Sequence, residues 1–409
     1  DDEGNEAADS DRATVSFGDS VPAVDVSKGA APGSVRETGE TATFSVEVAN
    51  LSVEPVTLVS LTDSVFGDLR DGGNPLVWDN TCPVQPAVIP VGGTFACSFD
   101  AYLAGDAGDP DHTDTVTAVV EDDDGNQAGG TDEATVTFAD VLPAIEVTKA
   151  ASPAAVAEPG GLVSFTVVVQ NQATEAAALI SLVDDVFGNL LDTGNPQVAA
   201  NTCPARPLVI PAGGAFSCSF EGFVRGGFGG PAHTDTVMAL VFDDDGNLAA
   251  DSAEATVAFT DALPAIGVAK SAAPGTVPEP GGVATFTVEV ATLAVEPVTL
   301  TGLVDDVFGD LLDPANAVVL DNTCSGQAAL IAVGHTLVCS FNAFVAGDAG
   351  GPDHTDTVTA AVADDDGNLV LGRDDAAVTF GDVPPALAVA KSPSPGALAE
   401  PGGTVTFLV

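Results

Sequence analysis

Thr43-Phe44-Ser45-Val46-Glu47-Val48 alternates strictly, with Phe44, Val46 and Val48 on one face and hydroxyl or carboxylate side chains on the other. A period of two is the mark of a strand with one buried face. Similar runs lie on both sides of it. Thr94 to Tyr102 sets Phe95, Cys97, Phe99 and Ala101 on one side, Thr113 to Val120 alternates, and Ala134 to Phe138 turns Val136 and Phe138 inward. Pro55 to Leu61 reads as a strand burying Val56 and Leu58, with Val59 and Leu61 as further candidates, and Ala23 to Lys28 as one burying Val24 and Val26. Turn formers separate these runs: Glu37-Thr38-Gly39, Gly92-Gly93, Gly105 to Pro110 and Asp124-Gly125-Asn126. Strands are expected at 23–28, 41–50, 55–62, near 87–89, 94–103, 113–121 and 133–138. About seven short strands and no helical periodicity predict an all-β, Ig-like two-sheet sandwich.

The same unit recurs. Pro-Ala-x-x-Val-x-Lys begins at Pro22, Pro143, Pro264 and Pro385, each 121 residues after the last, and His112, His233 and His354 keep that interval. Asp122-Asp123-Asp124-Gly125-Asn126 returns as Asp243 to Asn247 and Asp364 to Asn368. A fixed period of this kind predicts a linear array in which each unit meets mainly its neighbours. Domains are expected at 20–140, 141–261 and 262–382. Residues 1–19 match 122–140, the last strand of a preceding repeat, and 383–409 match 20–46, the first strands of a following one; both are expected of a window on a longer array. The junctions are short, with little slack for independent tumbling.

Composition narrows the function. Sixty Asp and Glu against ten Lys and Arg give a formal net charge of −50, a surface that repels phosphate backbones, so nucleic acid is excluded as a partner. Such a charge suits divalent cations or a salty medium. With 45% apolar residues the chain still has material for cores. No apolar run is long enough to span a bilayer, and Asp1 to Asn5 are unlike a signal peptide.

Three local patterns carry a family resemblance: Pro-Gly-Gly-x-x-x-Phe-x-Val at Pro280 to Val288 and Pro401 to Val409, Leu303-Val304-Asp305-Asp306, and His354-Thr355-Asp356-Thr357-Val358 ahead of the Asp-Asp-Asp-Gly-Asn loop. With these the chain resembles the tandem Ig-like repeats of unknown function found in large bacterial and archaeal cell-surface proteins. The resemblance spans the whole chain and implies the sandwich fold and a surface setting. It brings no ligand, because that family has no common activity.

Each repeat has two cysteines fifteen residues apart: Cys82 and Cys97, Cys203 and Cys218, Cys324 and Cys339. A zinc site would need two more ligands, and no Cys-x-x-Cys is present, so disulfides are expected, placing the protein outside the cytoplasm, at a cell surface or secreted. Closing so short a loop stabilises a unit by about 3 kcal/mol in the chain-entropy model.

Calcium, which takes six to eight hard oxygens, is the expected cofactor, with no organic one. Asp122, Asp124 and Asn126 offer such oxygens in one turn, as do Asp243, Asp245 and Asn247, and Asp364, Asp366 and Asn368. The alternative is a plain solvated turn, since Asp-Gly and Gly-Asn favour turns. Sandwich topology gathers Glu37, Asp63, Asp114 and Asp140 at one end of a unit, facing Glu175 and Asp243 to Asn247 of the next. Their counterparts Glu158, Asp184, Asp235 and Asp261 face Glu296 and Asp364 to Asn368, while Glu279, Asp305 and Asp356 belong to the last full period. Calcium at these junctions would stiffen the array; the competing readings give each cluster its own ion, or none.

Lys28, Lys149, Lys270 and Lys391 occupy one repeat position, and Lys28 shares the inward parity of Val24 and Val26. Either its head reaches a carboxylate such as Glu37 or Asp140 at the strand end, or it enters an isopeptide crosslink to Asn or Asp. His112 is read as a residue fixing the loop before the 113–121 strand, with metal ligation as the alternative. Asn50-Leu51-Ser52 is a glycan sequon found in the first repeat only. No Gly-x-Ser-x-Gly, phosphate-loop or His-Glu-x-x-His motif is present, and no enzyme is expected. The sequence therefore reads as a structural part of an extracellular fibre or stalk that associates with neighbouring repeats or subunits of the same protein. The alternative is an adhesin presenting a binding tip to sugar, host or neighbouring cell.

Overall fold

The computed structural model describes residues 2–83, 87–203, 208–326 and 330–409. Among these residues there are strands and turns and no helix. The chain divides into two compact units, one made of 1–150, 165–222 and 235–255, the other of 151–164, 223–234 and 256–409.

In the first unit, residues 20–140 form nine strands: β1 (Val24–Ala31), β2 (Ser34–Arg36), β3 (Glu40–Asn50), β4 (Val56–Asp63), β5 (Gly67–Asp68), β6 (Ala87–Ile89), β7 (Thr94–Leu103), β8 (His112–Glu121) and β9 (Gln127–Ala139). One sheet has the order β1-β3-β7; the other runs β2-β9-β8-β4-β5, with β6 beside β4. All pairs are antiparallel except β2 with β9, where Ser34 lies opposite Thr137. The fold is an Ig-like β-sandwich. The expected strands form, and β2 and β5 are additions. β9 begins six residues earlier than expected, because β8 pairs with it from Glu121↔Gln127 onward.

Between the sheets Phe44, Phe99, Val46, Val48, Leu58 and Leu61 are buried. Phe44 stacks on Phe99 with centroids 5.2 Å apart, and Phe66 closes the cluster at 5.4 and 5.5 Å. Such ring pairs add about 1 kcal/mol each beyond area burial. Leu58 and Leu61 can both point inward because the β4–β8 register shifts between Leu58 and Ser60. That shift turns Val59 outward, where it is 39% exposed, so that of the two further candidates on this strand Leu61 is the buried one.

The second unit repeats this plan in residues 262–382. Strands at 266–273, 281–292 and 336–346 form the smaller sheet, and those at 276–278, 369–381, 354–363, 298–305 and 309–310 the larger. Phe286, Phe308 and Phe341 form its ring cluster, with centroids 5.3 to 5.6 Å apart. Residues 4–19, within the 1–19 expected to hold the last strand of a preceding repeat, form no strand. Near the other end, residues 392–394 and 406–408 pair as a short antiparallel ladder.

Candidate cation clusters between successive periods

The three expected disulfides are formed, Cys82–Cys97, Cys203–Cys218 and Cys324–Cys339, with Cα atoms 4.9 to 5.0 Å apart. They tie the loop before the β6 position to β7 and its counterparts, and they fit an oxidising compartment.

The acidic groups sort into two kinds. In the first unit, Glu37 follows β2 and is buried. Its Oε1 accepts the N–H of Val141, 2.5 Å away, and its Oε2 that of Ala107 at 2.9 Å. Glu37 thus clasps the chain where one period passes into the next. In the second unit Glu158 does the same with Ala262 at 3.0 Å and Phe228 at 2.5 Å, and Glu279 with Val383 at 3.2 Å and Ala349 at 2.7 Å. The two N–H bonds hold the Glu279 carboxyl below its usual range, outweighing burial.

Around these clasps, carboxylates from consecutive periods converge. Oxygens of Glu37, Asp140 and Glu175 lie within 4.8 Å of one another, and Glu37 also groups with Asp106 and Asp245. In the second unit Glu158, Asp261 and Glu296 form the equivalent group. Asp19, Glu54 and Asp122 make a third arrangement at the start of the first full period. Asparagine links cross the same places: Asn126 Nδ2 donates to Asp19 at 2.8 Å, Asn247 to Asp140 at 2.8 Å and Asn368 to Asp261 at 2.9 Å.

The Asp-Asp-Asp-Gly-Asn loops are positioned by their own first residue. Asp122 Oδ1 accepts the N–H groups of Asp124 at 3.1 Å and Asn126 at 2.8 Å, while Gly125 turns the tip at φ 91°. Burial alone raises the Asp122 carboxyl, but these bonds outweigh it and hold it low. Asp243 and Asp364 bind Asn247 and Asn368 in the same way. Asp122, Asp243 and Asp364 are thus engaged in shaping the turn. Asp124, beside Asp123 and Asp19, is raised by their charges. Asp245 is raised by burial and by Asp106, Glu37 and Asp140, and Asp366 by burial and by Glu158.

Glu296 and Glu175 are the most perturbed. Glu296 is only 5% exposed, and its Oε1 has no hydrogen-bond partner. Burial pushes its carboxyl to about 7, with Glu158, Asp365, Asp364 and Asp261 adding to the effect. Glu175 is pushed to about 8 by burial, a hydrogen bond with Asp244 and the charge of Glu37, and its Oε2 is likewise unpartnered. Unpaired carboxyls buried among like charges are what a hard divalent cation would relieve. A cleft of 510 Å³ opens beside Glu158 and Glu296 and also takes in Arg225, a position occupied by Ala104 and Ala346 in the other periods.

The second kind of acid lies elsewhere. Asp63, Asp184 and Asp305, with Asp114, Asp235 and Asp356, were expected at the junctions; instead they are buried around Lys28, Lys149 and Lys270 inside each period. They sit at inward-facing positions of β4 and β8, so strand parity takes them to the core. For the same reason Lys28 does not reach Glu37 or Asp140. Asn50 is also buried, and its Nδ2 donates to the carbonyls of Glu54, Ile89 and Pro90 at 2.8 to 3.3 Å, so the sequon is occupied structurally rather than displayed for a glycan.

Sequence reading missed Asp106 and Asp19. Asp19 stands one period before Asp140, a signal that was available; Asp106 recurs as Asp348 but is Gly227 in the middle period, so no constant spacing marks it.

No family model matches the chain, and no curated protein matches its sequence. Solved structures similar to it include segments of large adhesins and protocadherin extracellular domains. One, from a 1.5-MDa bacterial ice-binding adhesin, is 16% identical over 87% of this chain and 97% of that one, with a TM-score of 0.25. Another, a Ca²⁺-stabilised adhesin of an Antarctic bacterium, is 14% identical over 91% and 76%, at 0.26. A third, a tetra-tandem repeat from the extending region of a large adhesion protein, is 15% identical over 88% and 74%, at 0.22. Scores this low carry no role across.

Proposed function

We propose that this chain is a structural segment of an extracellular fibre or surface stalk, with calcium bound where one Ig-like period meets the next. Each of 20–140, 141–261 and 262–382 is taken as one domain, stapled by its own disulfide. The observation that carries the reading is Glu296: a buried carboxyl with an unpartnered oxygen, facing Glu158 and Asp261 of the preceding period. Calcium there would be held by oxygens from both periods and would stabilise their contact by mass action, since the unfolded chain lacks the site. Glu37, Asp140 and Glu175, with Asp245 and Asp106 beside them, would hold the earlier junction's ion in the same way.

The acidic surface supports the reading, since it keeps a long polymer soluble and draws cations. So does the identity of the Asp-Asp-Asp-Gly-Asn loops in all three periods, because a binding tip would be expected to vary its loops between repeats. The test is calorimetric titration of the EDTA-treated chain with calcium. Saturable binding with a raised melting temperature, weakened by Glu296→Gln, is expected. Heats indistinguishable from dilution, with an unchanged melting temperature, would refute it.

A further inference from the structure

Each full period buries one lysine against two aspartates, which leaves its core one charge out of balance. Lys28 Nζ lies 2.6 Å from Asp63 Oδ2 and 2.5 Å from Asp114 Oδ2, and all three side chains are fully covered. Lys149 meets Asp184 at 2.5 Å and also Asp235; Lys270 meets Asp305 at 2.5 Å and also Asp356. The ammonium position is walled by rings: Phe44 at 4.8 Å and Phe99 at 6.0 Å for Lys28, with Phe165 and Phe220, and Phe286 and Phe341, repeating the arrangement.

The two aspartates are not equivalent. Asp63 Oδ1 accepts backbone N–H groups from Val65 at 2.9 Å and Phe66 at 3.0 Å, while Oδ2 faces the lysine. The same pair of donors serves Asp184 from Val186 and Phe187, and Asp305 from Val307 and Phe308. Two N–H groups fixed on one carboxyl oxygen are an oxyanion hole, ready for negative charge to develop there. Asp114 has no such support. Burial raises its carboxyl despite the opposing pull of Lys28, and Asp356 is raised by burial likewise. His112 Nε2 stands 3.7 Å from Asp114, with its ring packed on Phe66 and Phe44.

We propose that each triad closes an intramolecular amide bond: Lys28 to Asp63, Lys149 to Asp184 and Lys270 to Asp305, with Asp114, Asp235 and Asp356 as proton shuttles. Nζ first gives one proton to Asp63 Oδ2, 2.6 Å away, and as the neutral amine then attacks Asp63 Cγ, while the Oδ1 oxyanion rests on the Val65 and Phe66 N–H groups. The Asp114 carboxyl gives a proton to Oδ2, which departs as water, and its carboxylate takes a proton from Nζ. One N–C bond forms, one C–O bond breaks, one water leaves and Asp114 is restored. No oxidant, metal or cofactor enters. A carboxyl able to pass protons and reactants held in contact are the two things this condensation needs. The bond would join β1 of the smaller sheet to β4 of the larger, a sheet-to-sheet staple that the disulfide, between a loop and β7, does not supply. Lys391 Nζ lies over the Phe407 ring at 4.3 Å.

The test is the intact mass of the 409-residue chain after reduction and alkylation of its cysteines. The expected mass is three waters below that of the sequence, with fragment spectra joining each lysine to its β4-position aspartate. Asp114→Asn should restore one water, leaving the other two triads as internal controls; Asp63→Asn should still crosslink, losing ammonia in place of water. A full sequence mass for the unaltered chain overturns the proposal whatever the variants do. A bond found at Asp114, or three waters still lost in Asp114→Asn, overturns the assigned roles.

Discussion

Replacing Glu296 by Gln should move the melting temperature in opposite directions with and without calcium. In EDTA the Glu296 carboxyl is pushed from 4.5 to about 7. At pH 8 it must therefore ionise among Glu158, Asp261, Asp364 and Asp365. Taken at full value the shift corresponds to about 3 kcal/mol. Water around the neighbouring exposed acids screens it, so about 1 kcal/mol is expected. Gln keeps the shape and removes the charge, which should raise the midpoint in EDTA by about 3 °C for a unit of this size. In saturating calcium the variant lacks a charged ligand; a tenfold weaker site forfeits about 1.4 kcal/mol of the stabilisation by bound ion, and the midpoint falls. The assay is differential scanning calorimetry of both proteins at pH 8, in EDTA and in excess calcium. Shifts of the same sign in both buffers would refute the reasoning, because the carboxylate would then be acting without reference to a cation.

Stability in EDTA should itself depend on pH in an unusual direction. Glu175 and Glu296 have folded values of about 8 and about 7, above the ordinary 4.5, so their contribution is fully present below about pH 4.5 and is lost as pH rises through those values. Urea midpoints measured from pH 5 to 9 should fall in EDTA and flatten in calcium; a rise across that range in EDTA would be the contrary result. Replacing Cys324 and Cys339 together by Ala should cost about 3 kcal/mol by denaturant titration, from the closed loop of fifteen residues. Asn171→Ala strips a buried amide from the carbonyls of Glu175, Ile210 and Pro211 and should cost about 2–4 kcal/mol. Thr292 holds that position in the last period, and Thr292→Asn should stabilise it by about 1 kcal/mol.

Strand parity made most of the fold legible. Phe44, Val46 and Val48 are buried because the pleat alternates, and the 121-residue interval carried that reading through the later periods. Parity also held the answer for Lys28, Asp63 and Asp114, but charge suggested the surface and drew the acids to the junctions. A buried ion cluster needs partners from β1, β4 and β8 at once, and no local pattern states that they converge. Glu37 and Glu175 were placed on facing ends of successive periods by topology alone. Asp106 was not, because its loop varies between periods. Val59 and Leu61 were left as alternatives because the register shift at Leu58 and Ser60 breaks the alternation on which the inference rests. The sequon at Asn50 misled for a related reason: a three-residue motif does not record that its amide is needed by the carbonyls of Glu54 and Ile89.

The most direct test is small-angle scattering of the whole chain during a calcium titration at constant ionic strength. Calcium seated between successive periods predicts a saturable change in radius of gyration and maximum dimension, reversed by EDTA and blunted when Glu175 and Glu296 are both replaced by Gln. Superimposable curves with and without calcium would contradict the account.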